Sequence, residues 1–347
     1  MSSFQIPRLS HPSGELSFSP RTPWLAPLAG YSDLAFRLLC RSYGACVCTT
    51  EMISAKGLIY ENTGTLKLLA SSPEDSPLIV QLFGAEAEFL GEAVKRLKEA
   101  GYRYFDLNIG CSVPKVMRQM AGAAMLTSPK NILACAEAMI GYAGKGNVGF
   151  KLRLSPNESI PQWELPLALA ELGAGWITLH PRYAKQYFHG KADWSQLAAL
   201  RKKLPIPLVA SGDLLSAYDG IRCLKETLCH TLMYARGALR NPAIFSDHCR
   251  LIQGLPLLPR KSSDLSLLLC SYLNLVKRHA NGRDQTKRMR GILASFVKNL
   301  PNAREIRVRL CQAQVWEELF DIIETMIPKD TLIEEEKKDS LSEQYIP

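Results

Sequence analysis

No apolar run in this 347-residue chain approaches the length that crosses a bilayer, so no membrane helix is expected. The first twenty residues carry Pro7, His11, Pro12, Glu15 and Pro20 and lack an apolar core. That argues against a secretory signal and for a cytoplasmic protein. Metal-ligand spacing is missing as well. Cys46 and Cys48 share one face of a buried segment, but no second pair is spaced to complete a tetrahedral site, so no metal is expected. The other cysteines are scattered among apolar neighbours, where a free thiol packs as a small hydrophobe, and only Cys111 stands apart. A GxGxxG turn after the first apolar segment is also absent, which weakens a dinucleotide-binding open sheet. Acidic residues almost vanish between 277 and 309. Only Asp284 and Glu305 oppose ten Lys and Arg there, which gives that stretch a charge of +8 in a chain of +9. A near-neutral body with one basic region fits a polyanionic partner, nucleic acid first of all, or else a solvated helix face.

What is present is a regular alternation. Short apolar segments at 24–28, 46–51, 78–82, 104–108, 148–152, 176–179, 208–210 and 231–234 read as strands, continuous enough for a parallel sheet buried on both faces. Helical patterns separate them. Phe89, Leu90, Ala93, Val94 and Leu97 form an apolar stripe closed by Gly101, and Asp193 is placed to cap a helix that Pro205 ends. Eight strands with helical crossovers predict an α/β fold, a (β/α)8 TIM-type barrel. After Pro256 the pattern turns purely helical, from about 264 to 327. The expected organisation is an irregular extension over 1–20 and a barrel over 21–257. A small all-helical domain over 258–328 and a charged tail over 329–347 follow.

In such barrels chemistry sits where strands end at the C-terminal face. The residues at those ends are Pro27, Leu28 and Ala29, then Gln81, Asn108 and Cys111, then Lys151 and Arg153, then His180. Ser211, Gly212 and Asp213 follow the seventh strand, and Ala235 and Arg236 the eighth. The last two loops are where these barrels usually hold a phosphate. Small residues let backbone N–H groups approach, and Arg236 adds a charge-assisted donor, so a mononucleotide cofactor is implied. A lysine at a barrel mouth is costly to bury without a partner, which marks Lys151 as functional. His180 reads either as a ligand contact or as a satisfied core histidine.

The segments APLAGYSD (26–33), QLFG (81–84), DLNIGCS (106–112), KLR (151–153), TLH (178–180), ASGD (210–213) and ARGALRNPAIF (235–245) resemble the dihydrouridine synthases in order and spacing. A weaker resemblance runs through KRMRGILASFVKNLPNAREIRVRL (287–310), similar to that family's RNA-binding helices. The resemblance implies FMN as cofactor, NADPH as reductant and RNA as substrate, transfer RNA first and ribosomal RNA second. It also implies a hydride passed from the flavin to C6 of uracil while a cysteine protonates C5. Hydride addition at C6 places enolate charge on O4 and C5, so a neutral acid has to stand over C5. A thiol at Cys111, mainly protonated at neutral pH, suits that task.

By the same resemblance Lys151 lies near the flavin pyrimidine, where its ammonium stabilises the reduced anionic ring. Gln81 matches the ring's amide edge because it both donates and accepts. His180 contacts the flavin, and Asn108 reads the uracil imide edge. Arg153 either binds RNA phosphate or pairs with Glu51. Lys287, Arg288 and Arg290 are close enough in sequence to form an RNA-facing cluster, although one helix turn cannot point all three the same way.

The chain departs from the family pattern at Ser112, Pro181, Tyr183, Ala184, Phe188, Ser211, Ala235 and Gly291. Most of these face the RNA rather than the cofactor, so FMN binding is the firmer expectation. Two other functions remain open on the sequence. One is an FMN barrel acting on a free pyrimidine or other small molecule, such as a dihydropyrimidine or dihydroorotate dehydrogenase. The other is a non-catalytic RNA-binding relative.

Overall fold

The computed structural model describes residues 6–9, 14–156, 162–280, 284–298, 300–329 and 331–333. Most of the extension before Gly14 and the charged tail from 334 onward lie outside the described residues. The chain divides into two compact units, one up to Leu255 and one from Pro256.

The first unit is a closed parallel barrel. Its strands are β1 (Trp24–Leu25), β2 (Val47–Thr49), β3 (Ile53–Ser54), β4 (Leu78–Phe83), β5 (Tyr104–Ile109), β6 (Val148–Leu154), β7 (Trp176–Tyr183), β8 (Leu208–Ala210) and β9 (Thr231–Tyr234). Neighbours run from β2 through β1, β9, β8, β7, β6 and β5 to β4, and a β2–β4 pairing at Cys48–Leu78 closes the ring. All pairings are parallel. β3 is additional to the eight expected strands. Its two residues pair only with the end of β4, too short a run to carry a period-two signal.

β7 also runs past its expected end at Leu179. Pro181 lies inside it, and the register with β6 slips between Arg153–His180 and Leu154–Tyr183. A proline within a strand pattern reads as a stop, and here the irregularity absorbs its missing N–H.

Side chains alternate along each strand, and the inward set changes character with height. Near the strand starts Trp24, Val47, Ile79, Tyr104, Trp176, Val209 and Met233 pack as one apolar cluster. Gly149 leaves room for the Trp176 indole, since a Cβ at Gly149 would lie 1.9 Å from its ring. Leu16 and Phe18 of the N-terminal segment pack against this cluster, and Phe18 lies 5.1 Å from the Trp24 ring. That end is therefore sealed by greasy side chains. Two residues further on, the inward positions are Thr49, Gln81, Asp106, Lys151, Thr178 and Ser211; two more bring Glu51, Asn108, Arg153, His180 and Asp213. The polar layers thus gather at the C-terminal mouth.

The second unit contains helices Ser262–His279, Thr286–Phe296, Ala303–Gln312 and Trp316–Met326. Each buries an apolar stripe at helical spacing, for example Met289, Ile292 and Leu293, or Leu319, Ile322 and Ile323.

Candidate functional site

Three strand-borne residues form a directed chain of hydrogen bonds. Gln81 Nε2 donates to Asp106 Oδ2 at 2.7 Å, and Gln81 Oε1 accepts from Asn108 Nδ2 at 2.8 Å. Asn108 Oδ1 accepts the backbone N–H groups of Gly110 at 3.1 Å and Cys111 at 2.9 Å. The Cys111 carbonyl in turn accepts from Ala123 N, and Gly122 (φ +62°) lies so close that a Cβ would meet that carbonyl at 2.5 Å. The loop carrying the half-buried Cys111 is therefore held from both sides.

Lys151 stands beside Asn108 in the β5–β6 register. Burial lowers its pKa and the Asp106 carboxylate opposes that shift; burial raises Asp106, with Gln81 and Lys151 pulling the other way. Arg153 donates to the Tyr183 carbonyl at 3.1 Å and its guanidinium lies 5.5 Å from the centre of the Phe188 ring. Burial and the charge of Arg182 bring the Arg153 pKa down to about 10. His180 stacks on the same Phe188 ring at 6.3 Å, and its Nε2 lies 3.1 Å from Arg182 Nη1. A guanidinium can only donate, so Nε2 is the acceptor and the ring proton is on Nδ1.

Arg182 anchors the opposite side. It is buried and gives Nη2 to Asp213 Oδ2 at 2.7 Å and to the Gly190 carbonyl at 2.6 Å. Asp213 also accepts from Ala192 N at 2.7 Å and, through Oδ1, from Arg236 at 3.2 Å. Arg236 lies 4.6 Å from the Phe188 ring centre. Gly212 (φ +104°) has to be glycine, because a Cβ there would come within 2.6 Å of the His180 ring. Ser211 is buried, with its N–H on the Leu179 carbonyl. Ala235 is the residue before helix Arg236–Arg240. On the first loop Pro27 and Leu28 are half-buried and Ala29 is exposed, while Gly30 N donates to the Glu51 carboxylate.

The electrostatic consequence is a mouth rich in cations. Burial first, then the charges of Arg153, Lys151, Arg182 and Arg236, push the His180 pKa well below 6.5. His180 is neutral in the fold, whereas the unfolded chain takes up a proton as pH falls through about 6.5. Stability on its account is therefore full above that value and is lost on acidification. Each pH unit below about 6.5 costs up to about 1.4 kcal/mol until the folded pKa is reached. His180→Gln is expected to flatten the fall in melting temperature between about pH 7 and 5; an unchanged profile would place the acid sensitivity elsewhere.

The structure brings Gln81, Asn108, Cys111, Lys151, Arg153, His180, Asp213 and Arg236 to one end of the barrel. The three basic residues of the helical unit differ in exposure and in contacts. Lys287 is exposed, Arg288 is half-buried, and Arg290 turns to the Cys311 carbonyl at 3.5 Å and Gln314 Oε1 at 3.3 Å. Helical spacing puts Lys287 and Arg290 three apart on one side and turns Arg288 away from both, and the end of helix Ala303–Gln312 offers Arg290 acceptors.

Two residues of the site were not read from the sequence as functional: Asp106 and Arg182. Both lie two positions from a residue that was, on the same strand face. Period two would have found Asp106 beside Asn108, but Pro181 hid the continuation from His180 to Arg182. Among the described residues no group of three His, Cys, Asp or Glu is placed to hold a metal, and no helix is long and apolar enough to cross a membrane.

A family model described as dihydrouridine synthase matches residues 24–340. A probable tRNA-dihydrouridine synthase of Aquifex aeolicus (strain VF5) is 32% identical over 320 residues, covering 89% of this chain and 96% of that protein. The probable tRNA-dihydrouridine synthase 1 of Synechocystis sp. is 29% identical over 310 residues, with 87% and 85% covered. Among solved structures, a 2-naphthoyl-CoA reductase in complex with 2-naphthoyl-CoA superposes with a TM-score of 0.51 at 8% identity. It covers 68% of this chain and 50% of that one, a likeness of fold alone.

Proposed function

The chain belongs to the dihydrouridine synthase family, and from that premise we propose that it reduces uridine to 5,6-dihydrouridine in tRNA, with FMN as cofactor and NADPH as reductant. The observation that carries the reading is a thiol on a pinned loop at a barrel mouth lined with cations.

The residues present fit a phosphorylated flavin. Arg236 offers a planar guanidinium already oriented by Asp213, beside the small residues Ser211, Gly212 and Ala235. The inward hydroxyls of Thr49 and Thr178 are buried without a hydrogen-bond partner in the protein, in the polar layers where a ring with carbonyl and imide groups would need them. The chemistry such a cofactor supplies is hydride delivery to C6 of uracil, with NADPH restoring its reduced form.

This chain's own residues do the rest. Arg236 grips the cofactor phosphate, with Ser211, Gly212 and Asp213 shaping the cradle and Pro27, Leu28 and Ala29 bordering it. Lys151 sets a positive charge by the ring, and Gln81 keeps one N–H for it. His180 offers its Nδ1–H as a neutral donor. Cys111 gives its proton to C5, and Asn108 binds a uracil carbonyl. Arg153, beside the Phe188 ring, meets RNA phosphate at the mouth.

In the helical unit Lys287 and Arg288 supply phosphate contacts, joined by the exposed Arg304, Arg307 and Arg309 of the next helix. Arg290 serves by holding the end of that helix.

The test is direct. Purified protein is incubated with NADPH and tRNA from a strain that makes no dihydrouridine, and the nucleosides are weighed by mass spectrometry. A uridine gaining two hydrogens is the expected product. A colourless protein that leaves every uridine unchanged overturns the reading, and turnover of free uracil but not tRNA replaces it with the small-molecule enzyme.

A further inference from the structure

We infer that Asp106 is a positioning residue that sets the reading edge of Asn108 and the pose of Cys111 through Gln81, an assignment that rests on the function proposed above. All the N–H bonds in the chain point one way. The Cys111 and Gly110 N–H groups point to Asn108 Oδ1, Asn108 Nδ2 to Gln81 Oε1, and Gln81 Nε2 to Asp106 Oδ2. Backbone N–H groups can only donate, so Asn108 has to turn its oxygen toward the loop. Its nitrogen then faces Gln81, whose oxygen has to face Asn108 and whose nitrogen has to find an acceptor. Asp106, buried at 3% exposure, is that acceptor.

The chain is thus pinned at both ends. Flipping either amide would set two donors or two acceptors against each other in a buried place, where an unmet polar group is costly.

The count of donors and acceptors then fixes what Asn108 can recognise. Its oxygen spends both lone pairs on Gly110 and Cys111, and its nitrogen spends one hydrogen on Gln81. One N–H remains and no acceptor. Asn108 therefore binds a carbonyl oxygen of the base and has nothing to offer the imide N3–H. This narrows the expectation that it reads the whole imide edge. Since Asp106 makes no hydrogen bond to the Cys111 loop itself, its effect there passes through the two amides.

The experiment is a double-mutant cycle read at the Cys111 thiol. Alkylation of Cys111 by iodoacetamide is followed by peptide mass mapping in the purified full-length protein, with the exposed Cys311 of the helical unit as internal reference. Losing one charge-assisted bond of this kind is expected to free the loop and raise the Cys111 rate about tenfold in Asp106→Leu. Asn108→Ala should raise it by a similar factor. The double variant should show no further rise, because both changes cut one chain. Asp106→Asn, whose amide oxygen still accepts from Gln81, should stay within about twofold of the parent. If Asp106→Leu does not fold, Gln81→Met cuts the same chain one link on and takes its place in the cycle.

Additive effects, or an unchanged Cys111 rate in the variant that breaks the chain, overturn the proposal. A parent protein that makes no dihydrouridine while the cycle is non-additive overturns the function and leaves the positioning role standing.

Discussion

Cys111→Ala is expected to lower dihydrouridine formation by about 10²–10⁴-fold while NADPH still bleaches the visible flavin band at the parent rate. The argument separates two demands on the site. Hydride transfer to C6 needs the cofactor and the residues that hold it, and the side-chain hydrogen bond of Arg236 goes to Asp213, not to Cys111. Completing the reduction needs a proton at C5, and that needs an acid fixed in place. Cys111 is fixed by its N–H to Asn108 Oδ1, by its carbonyl to Ala123 N, and by the close approach of Gly122. None of these contacts uses the sulfur, so alanine keeps the loop and removes only the proton. Parent-level turnover by the alanine variant removes Cys111 from the mechanism. Loss of flavin bleaching in the same variant would show that the thiol also seats the cofactor.

The barrel was legible because its strands are buried on both faces and read as apolar segments of the right length and spacing. Six of those eight segments matched a strand to within two residues at each end; the first strand stops three residues short of its apolar run, and the sixth segment's strand runs four residues past it. What escaped the sequence were features with no periodic signature. β3 is two residues long, and the continuation of β7 is interrupted by Pro181. The site was legible at the positions where motif and strand end coincide, as at Gln81, Asn108, Lys151 and His180. Its wiring was not. That Gln81 spends its amide on Asp106 and Asn108 depends on strands brought together from distant parts of the chain. Arg182 could be recognised as the anchor of Asp213 only once the loop ending in Gly190 was seen to return over it. In the helical unit the surplus charge was plain, but which charges face solvent depended on the packing of Thr286–Phe296 against Ala303–Gln312.

Arg236→Ala is expected to yield a protein that folds, melts close to the cofactor-free parent and purifies nearly colourless. The two arginines that meet Asp213 have separable duties. Arg182 is buried and also holds the Gly190 carbonyl and His180 Nε2, so it belongs to the framework. Arg236 is partly exposed, with a side chain at 29%, and besides its bond to Asp213 it rests against the Phe188 ring. Removing it leaves Asp213 paired with Arg182 and Ala192 N, so no buried charge is stranded. What disappears is a planar donor on the loop that would face the cofactor phosphate. A charge-assisted bond of that kind contributes about 1.5–3 kcal/mol, which weakens cofactor binding by about ten- to a hundredfold. Arg236→Lys keeps the charge but not the fork and should recover only part of the affinity. The measurement is visible flavin absorbance per protein after gel filtration, together with the rise in melting temperature on adding FMN. That rise should shrink with the affinity, because a ligand stabilises the fold by RT ln(1 + [L]/Kd). Full flavin content in the alanine variant moves the phosphate off this loop. A variant that loses flavin only because it no longer folds would instead place Arg236 in the framework with Arg182.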